Sequence, residues 1–388
     1  MKSESVRRLS FRANKGFIKK LRKYYDVEMD TKAICLAMYE VLLKLPIVRA
    51  GTSKKSRPQS KQDSDKNKQY TITIKEDIIE ALCLLYNTKK TSEAIQMAIT
   101  DVLNGTTEAQ KEPKAKAMYF MLGRKNNIMC NEISLIFESV KGKYNKYAEA
   151  FVGTGNVFYH SDLNVDSFIN DKDARTVNFL KVLSDKPLEL KVKLMLLQCN
   201  NETFEQIKCK SEFENEVDDA VAFMFVRYSS YYGLGECFDK KKTNKSYLKN
   251  LNLIYYLSRK LQGVEISKTD ALYFINKHNE SNVLLYIDSP YPYTEDYYKD
   301  SIDHKKLARL LTNAKSKFIY SSRTTFSNKN RGKGYTDAEM ELTIDALYGS
   351  KGFYYVDVPL KNKFNEDKKE QVERLITNFE FEGCKEYR

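Results

Sequence analysis

Tyr147-Ala-Glu-Ala-Phe-Val-Gly-Thr-Gly-Asn-Val-Phe158 reads as a short strand running into a Gly-x-Gly turn and then a helix. Glycines at such a turn let the backbone approach a ligand closely. About twenty residues further on, Phe168-Ile-Asn-Asp171 is an apolar strand ending in an acid, placed where a carboxylate can accept hydrogen bonds from ribose hydroxyls. Val283-Leu-Leu-Tyr-Ile-Asp-Ser-Pro-Tyr291 is an apolar strand of the buried kind that stops at Asp-Ser-Pro-Tyr. From residue 117 onward such strands alternate with helical patterns, which predicts an α/β domain with a largely parallel sheet and ligands at its strand ends.

Upstream, the chain repeats itself at an offset of 61 residues without a gap: Leu9, Phe11, Ile18, Leu21, Tyr25, Ala33, Ile34, Ala37 and Val41 fall on Tyr70, Ile72, Ile79, Leu82, Tyr86, Ala94, Ile95, Ala98 and Val102. Each copy opens with a period-two run, continues as an amphipathic helix and restarts after a polar turn as a second helix, with Thr31 and Ser92 expected as N-caps. A unit of about 45 residues cannot bury its own apolar face, so two copies in one chain are expected to pair. The pattern resembles the ribbon-helix-helix fold of small bacterial repressors, a small α+β module. That resemblance implies an antiparallel ribbon in the DNA major groove, with Arg8, Ser10, Arg12, Thr71 and Thr73 facing DNA and Leu9, Phe11, Ile72 and Ile74 facing the helices. The alternative is an oligomerisation module with a solvated strand face. Boundaries are expected at 1–50 for the first copy, 51–68 for a basic linker, 69–104 for the second copy and 105–116 for a second linker.

With 388 residues the chain has room for two or three domains. It is 42% hydrophobic, and no apolar run approaches the roughly 20 residues that span a membrane. The basic start, without an apolar stretch behind it, leads us to expect a reducing, cytoplasmic setting. Seven cysteines are scattered singly beside only three histidines, so no metal site is expected. The formal charge is +13, and residues 1–70 hold 18 Lys and Arg against 7 Asp and Glu, an excess of 11. Such a concentration points to a polyanionic partner, although the linker at 51–68 contributes part of it.

Glu149-Ala-Phe-Val-Gly-Thr-Gly155, Ile169-Asn-Asp171 and Asp288-Ser-Pro-Tyr291, in this order, resemble the FxGxG and DPPY motifs of the Dam-type (alpha-class) DNA adenine-N6 methyltransferases. Gly123-Arg-Lys125 resembles the amino-terminal GGK of that family, Tyr232-Gly-Leu234 its NGL turn, Asp270 the acid before the DPPY strand and Leu375-Ile-Thr-Asn378 its terminal strand, so that the likeness spans residues 117 to 380. The resemblance implies a Rossmann-like fold with a helical target-recognition insertion at about 172–262. It further implies S-adenosyl-L-methionine as methyl donor and double-stranded DNA as substrate. Catalysis would fall to Asp288, Ser289, Pro290 and Tyr291. The cofactor would be held by Gly123, Lys125, Phe151, Gly153, Gly155, Asp171 and Asp270. Tyr232 and the lysines Lys240, Lys241, Lys242 and Lys245 in the insertion would meet the DNA backbone. Serine at 289 departs from the usual proline, but the group required there is a backbone carbonyl. The competing expectation is a methyltransferase-fold protein that has lost turnover and acts as a repressor.

Overall fold

In the computed structural model the described residues are 6–45, 67–107, 117–119, 121, 124–291, 302–324, 344–349, 351–360 and 371–387. Both repeats fold as strand-helix-helix: β1 (Val6–Asn14), α1 (Lys15–Tyr25) and α2 (Asp30–Lys44), then β2 (Asn67–Lys75), α3 (Glu76–Tyr86) and α4 (Thr91–Leu103). The two strands form an antiparallel ribbon in which Leu9 pairs with Ile72 and Phe11 with Tyr70. The 61-residue offset extends to details that apolar spacing did not reveal. Asp26 and Asn87, which end α1 and α3, share the left-handed conformation, with φ of 51° and 49°. The Tyr25 hydroxyl donates to Glu40 at 2.6 Å and its equivalent Tyr86 to Asp101 at 2.9 Å, tying the first helix of each copy to the second. The second helices start two residues earlier than expected. Asp30 and Thr91 are their first residues, so Thr31 and Ser92 lie inside the first turn, and the caps are Met29 and Lys90 without side-chain hydrogen bonds. Residues 67 and 68, expected as linker, belong to β2.

Beyond the repeats come α5 (Asn127–Ser139), β3 (Lys146–Glu149), α6 (Asn156–His160), β4 (Asp166–Asn170) and α7 (Ala174–Asp185). A mostly helical stretch follows, with α8 (Pro187–Met195), α9 (Asn201–Lys208), α10 (Glu216–Ser229), α11 (Asn244–Leu251) and α12 (Leu253–Lys260). The sheet pattern then resumes with β5 (Glu265–Ser267), α13 (Ala271–Lys277), β6 (Val283–Ile287), α14 (His304–Thr312), β7 (Lys317–Arg323), α15 (Ile344–Tyr348), β8 (Tyr354–Leu360), β9 (Gln371–Thr377) and β10 (Lys385–Glu386). The sheet order is β10-β8-β9-β7-β6-β3-β4-β5, parallel from β7 to β5 and antiparallel at β9, β8 and β10. This is the mixed α/β, Rossmann-like architecture expected. From β3 the chain walks outward through β4 to β5 and returns on the other side at β6, so the order reverses between β3 and β6. Open α/β sheets gather ligands at such a reversal, outside the carboxyl ends of the strands. All five residues of β6 are buried, and Leu285 and Ile287 pack with Phe318, Tyr320, Leu307 and Leu311 into one core. At about 1.5–3 kcal/mol per buried large apolar side chain, this core fixes the strand end that carries the site.

The chain divides into two compact units, residues 1–119 with 181–261 and residues 120–180 with 262–388. The helical insertion therefore shares a unit with the tandem repeat. In that unit α8 packs on α2 and α3, and α12 packs on α2. Lys191 of α8, fully buried, donates to the carbonyls of Leu43 at 2.8 Å and Leu45 at 3.2 Å, filling acceptors that the end of α2 leaves open. Burial pushes its ammonium down to about 7. Among the described residues no helix is long and apolar enough to cross a membrane.

Candidate active site

The carboxyl end of β6 delivers Asp288 into a cluster centred on a buried lysine. Lys125, 2% exposed, places its Nζ 2.5 Å from Asp288 Oδ1 and 2.6 Å from Glu373 Oε1. It also donates to the Tyr291 hydroxyl at 2.9 Å. Tyr291 in turn donates to Glu373 Oε1 at 2.5 Å, and Ser321 of β7 donates to the same oxygen at 2.7 Å. Glu373 lies on β9, so β6, β7 and β9 each contribute. The Tyr291 ring also has the Lys125 ammonium 5.3 Å and the Arg323 guanidinium 5.4 Å from its centroid.

Two carboxylates and one ammonium here compete over a desolvated volume. Burial pushes Asp288 up to about 6, with Lys125 pulling it down and the Glu373 charge pushing it further up. Burial acts the same way on Glu373, but Lys125 and the hydrogen bonds from Tyr291 and Ser321 outweigh it and hold that carboxyl below its ordinary value. Lys125 loses stabilisation by burial, yet the two carboxylates keep it well above the usual ammonium range. The cluster therefore holds a charged lysine, a firmly ionised Glu373 and an Asp288 that is ionised at neutral pH and still proton-accepting. Asp288 is the most open of the three, with 18% of its side chain exposed.

The Gly-x-Gly turn follows β3. Gly153 and Gly155 have φ of 50° and 73°, a region that L side chains rarely adopt. A Cβ on Gly155 would come within 2.7 Å of the Tyr159 ring, whereas one on Gly153 would meet nothing within 4 Å. Asp171, at the end of β4, accepts from Gly153 N at 2.8 Å through Oδ2 and from Asp173 N at 2.9 Å through Oδ1. Burial raises its pKa, partly offset by these backbone donors. Asn170, fully buried, joins three strand ends by donating to Ala150 O and Thr269 O at 3.1 Å and accepting from Thr269 N at 2.9 Å. Asn156, just after Gly155, donates to Lys125 O at 2.6 Å and so links the glycine turn to the lysine. Glu149, buried at the end of β3, is pushed up to about 8 by burial, with a hydrogen bond from Tyr147 at 2.8 Å acting in the opposite direction. The donor set suits a nucleoside ligand: a mostly buried carboxylate beside a glycine backbone, with Phe151 half-buried next to them.

The other expected positions are placed as follows. Gly123 lies outside the described residues. Lys125, expected on the cofactor, has its ammonium on Asp288 and Glu373. Ser289 is buried beside the Tyr320 hydroxyl, and Pro290 is half-buried. Asp270 caps α13, its Oδ1 accepting from Leu272 N at 3.0 Å and Tyr273 N at 3.1 Å. On the ribbon, Arg8, Ser10, Arg12 and Thr73 are exposed and Thr71 half-buried. Tyr232 adopts a φ of 51° in a short helical turn, and Arg227 braces that turn by donating to Gly233 O at 2.6 Å. Lys240, Lys241 and Lys245 are exposed, while Lys242 lies 4.4 Å over the Tyr228 ring.

Sequence reasoning did not single out Glu373, Ser321, Asn170 or Asn156. For Glu373 a signal existed: the acid shares its strand face with Leu375 and Thr377, and an acid in phase with a buried face needs a partner. Among the described residues no group of three or more His, Cys, Asp or Glu side chains could hold a metal ion. A family model described as D12 class N6 adenine-specific DNA methyltransferase matches residues 121–358, more than half of the chain.

Proposed function

Because the chain belongs to the D12 class of N6 adenine-specific DNA methyltransferases, we propose that Asp288 is the group that makes the target amine reactive. An adenine amino group is a poor nucleophile, since its lone pair is delocalised into the ring. Acceptors for both amino hydrogens pull that pair toward a localised geometry. We assign one acceptor to the Asp288 carboxylate and the other to the Ser289 carbonyl, with Pro290 stiffening the strand end between them and Tyr291. Tyr291 stacks on the base, which must leave the duplex to be reached. Its hydroxyl is pinned by Lys125 and Glu373, so the ring is already set. As the amine gains its methyl it must shed a proton, and Asp288 is basic enough to take it. The observation that carries this reading is the buried Lys125, which keeps the exposed edge of Asp288 ionised while Glu373 balances its charge.

S-adenosyl-L-methionine, the donor that we assign, supplies an activated methyl group when bound. Phe151, Gly153, Gly155 and Asp171 would hold it, together with the Gly123–Lys125 segment and the second carboxylate oxygen of Asp270. The partner is double-stranded DNA in the cytoplasm. Tyr232, Lys240, Lys241, Lys242 and Lys245 contact its phosphates, and the ribbon residues Arg8, Ser10, Arg12, Thr71 and Thr73 add a second contact surface. The test is methyl transfer from labelled S-adenosylmethionine to duplex DNA by the purified chain. Asp288→Ala should slow transfer by about 10²-fold or more while cofactor binding persists in calorimetry. Equal rates for the two proteins would remove Asp288 from the chemistry.

A further inference from the structure

The ribbon carries a two-fold relation in its backbone that its side chains break. Ser10 and Thr71 are equivalent under the 61-residue repeat, and they are also paired across the ribbon, so the local two-fold axis passes between them. Their hydroxyls hydrogen-bond at 2.9 Å. Rotation about that axis carries Arg8 onto Gln69 and Arg12 onto Thr73. Across the ribbon, Arg8 faces Thr73 and Arg12 faces Gln69. All four are exposed on one face, while Phe11, Tyr70, Ile72 and Ile74 are buried on the other. The two strands hold five basic residues, Arg7, Arg8, Arg12, Lys68 and Lys75, and no acid.

We propose that this ribbon reads a non-palindromic stretch of duplex DNA. The inference rests on the reading of the ribbon as a DNA-binding surface. A two-stranded ribbon fits the major groove, where arginine matches guanine, glutamine matches adenine and threonine meets a thymine methyl. A reading face with true two-fold symmetry would present the same side chains to both half-sites and select a palindrome. Here the position two residues before the axis is arginine on β1 and glutamine on β2, and the position two residues after it is arginine on β1 and threonine on β2. Each half of the face keeps one arginine, so both halves are drawn to DNA, but the two arginines occupy inequivalent places. Tandem fusion makes this possible, because the two copies can differ at single positions where a homodimer cannot. An asymmetric reading face fixes which way round the chain lies on the duplex.

The test is selection from a pool of randomised DNA duplexes with the full chain, comparing wild type with Arg8→Ala/Arg12→Ala and with Gln69→Arg/Thr73→Arg. All four positions are exposed, so the fold is kept. The wild type should enrich a non-palindromic element that is lost in the double alanine variant, with binding to it weakened by about tenfold or more. In the double arginine variant that element should become two-fold symmetric. A palindromic wild-type element that disappears in the alanine variant would overturn the asymmetry and leave DNA binding by the ribbon standing. Enrichment and affinity that do not change on removing Arg8 and Arg12 would overturn the ribbon as a DNA surface, and the inference with it.

Discussion

The reactivity that we propose for Asp288 is a balance among three charges, and pH exposes that balance. Burial lifts its carboxyl to about 6, so the form that accepts the amino hydrogens is present above that pH and is lost as pH falls through it. The methyl-transfer rate should therefore show an acid limb near pH 6. Glu373→Gln removes a negative charge that pushes Asp288 up, so the acid limb should move to lower pH. The looser Tyr291 should lower kcat by about ten- to a hundredfold. A change in kcat with the limb unmoved would mean that Glu373 only supports the fold. Lys125→Met should act in the opposite direction, raising the limb and destabilising the protein by about 3–5 kcal/mol in denaturant titration, because two carboxylates lose their cation. At this scale the sequence spoke where a polar residue ends an apolar run, as Asp288 and Asp171 do. It was silent on Glu373, which meets Lys125 and Tyr291 only when distant strands come together in the sheet. It named Lys125 without the Asp288 and Glu373 carboxylates that its ammonium meets, since a motif carries the residue type but not the partner that its side chain chooses.

Helix α8 joins the insertion to the tandem repeat through one buried amine. Folding holds Lys191 near 7 against an ordinary value of 10.5, so the native state disfavours its proton. By linkage, the unfolded state binds more protons between those values, and stability rises as pH climbs from about 7 toward 10. Thermal unfolding should show this rise in the wild type and a flatter profile in Lys191→Met. A slope that is unchanged in the variant would show that Lys191 is not its source. The strand-helix-helix repeats were legible because apolar spacing at periods of 2 and 3.6 survives in both copies. The shared caps at Asp26 and Asn87 and the tyrosine-carboxylate ties were not, since they depend on backbone conformation and on side chains meeting across a turn.

The two compact units cut across the order of the chain, and this changes what removing the amino-terminal repeats should do. Read as a tethered module, residues 1–104 could be deleted at the cost of DNA affinity alone. With α8 and α12 packed on α2, and Lys191 capped by α2 carbonyls, deletion should strip the insertion of its packing surface. Hydrogen exchange on a protein starting near residue 112 should show α8 to α12 losing protection, and full protection there would refute the dependence. The parallel sheet and the Gly-x-Gly and Asp-Ser-Pro-Tyr ends were readable because each is local in sequence. The sharing of a unit between residues 6–107 and 181–261 was not, because long-range packing leaves no local period. The central claim is that this assembly methylates adenine at N6 through Asp288. Its most direct measurement is the N6-methyladenine content of host DNA, by nucleoside mass spectrometry, from methylase-free cells expressing either the wild type or Asp288→Ala at equal protein levels. We predict N6-methyladenine with the wild type and background with the variant. Equal N6-methyladenine in both, or none with a folded wild type, would contradict the account.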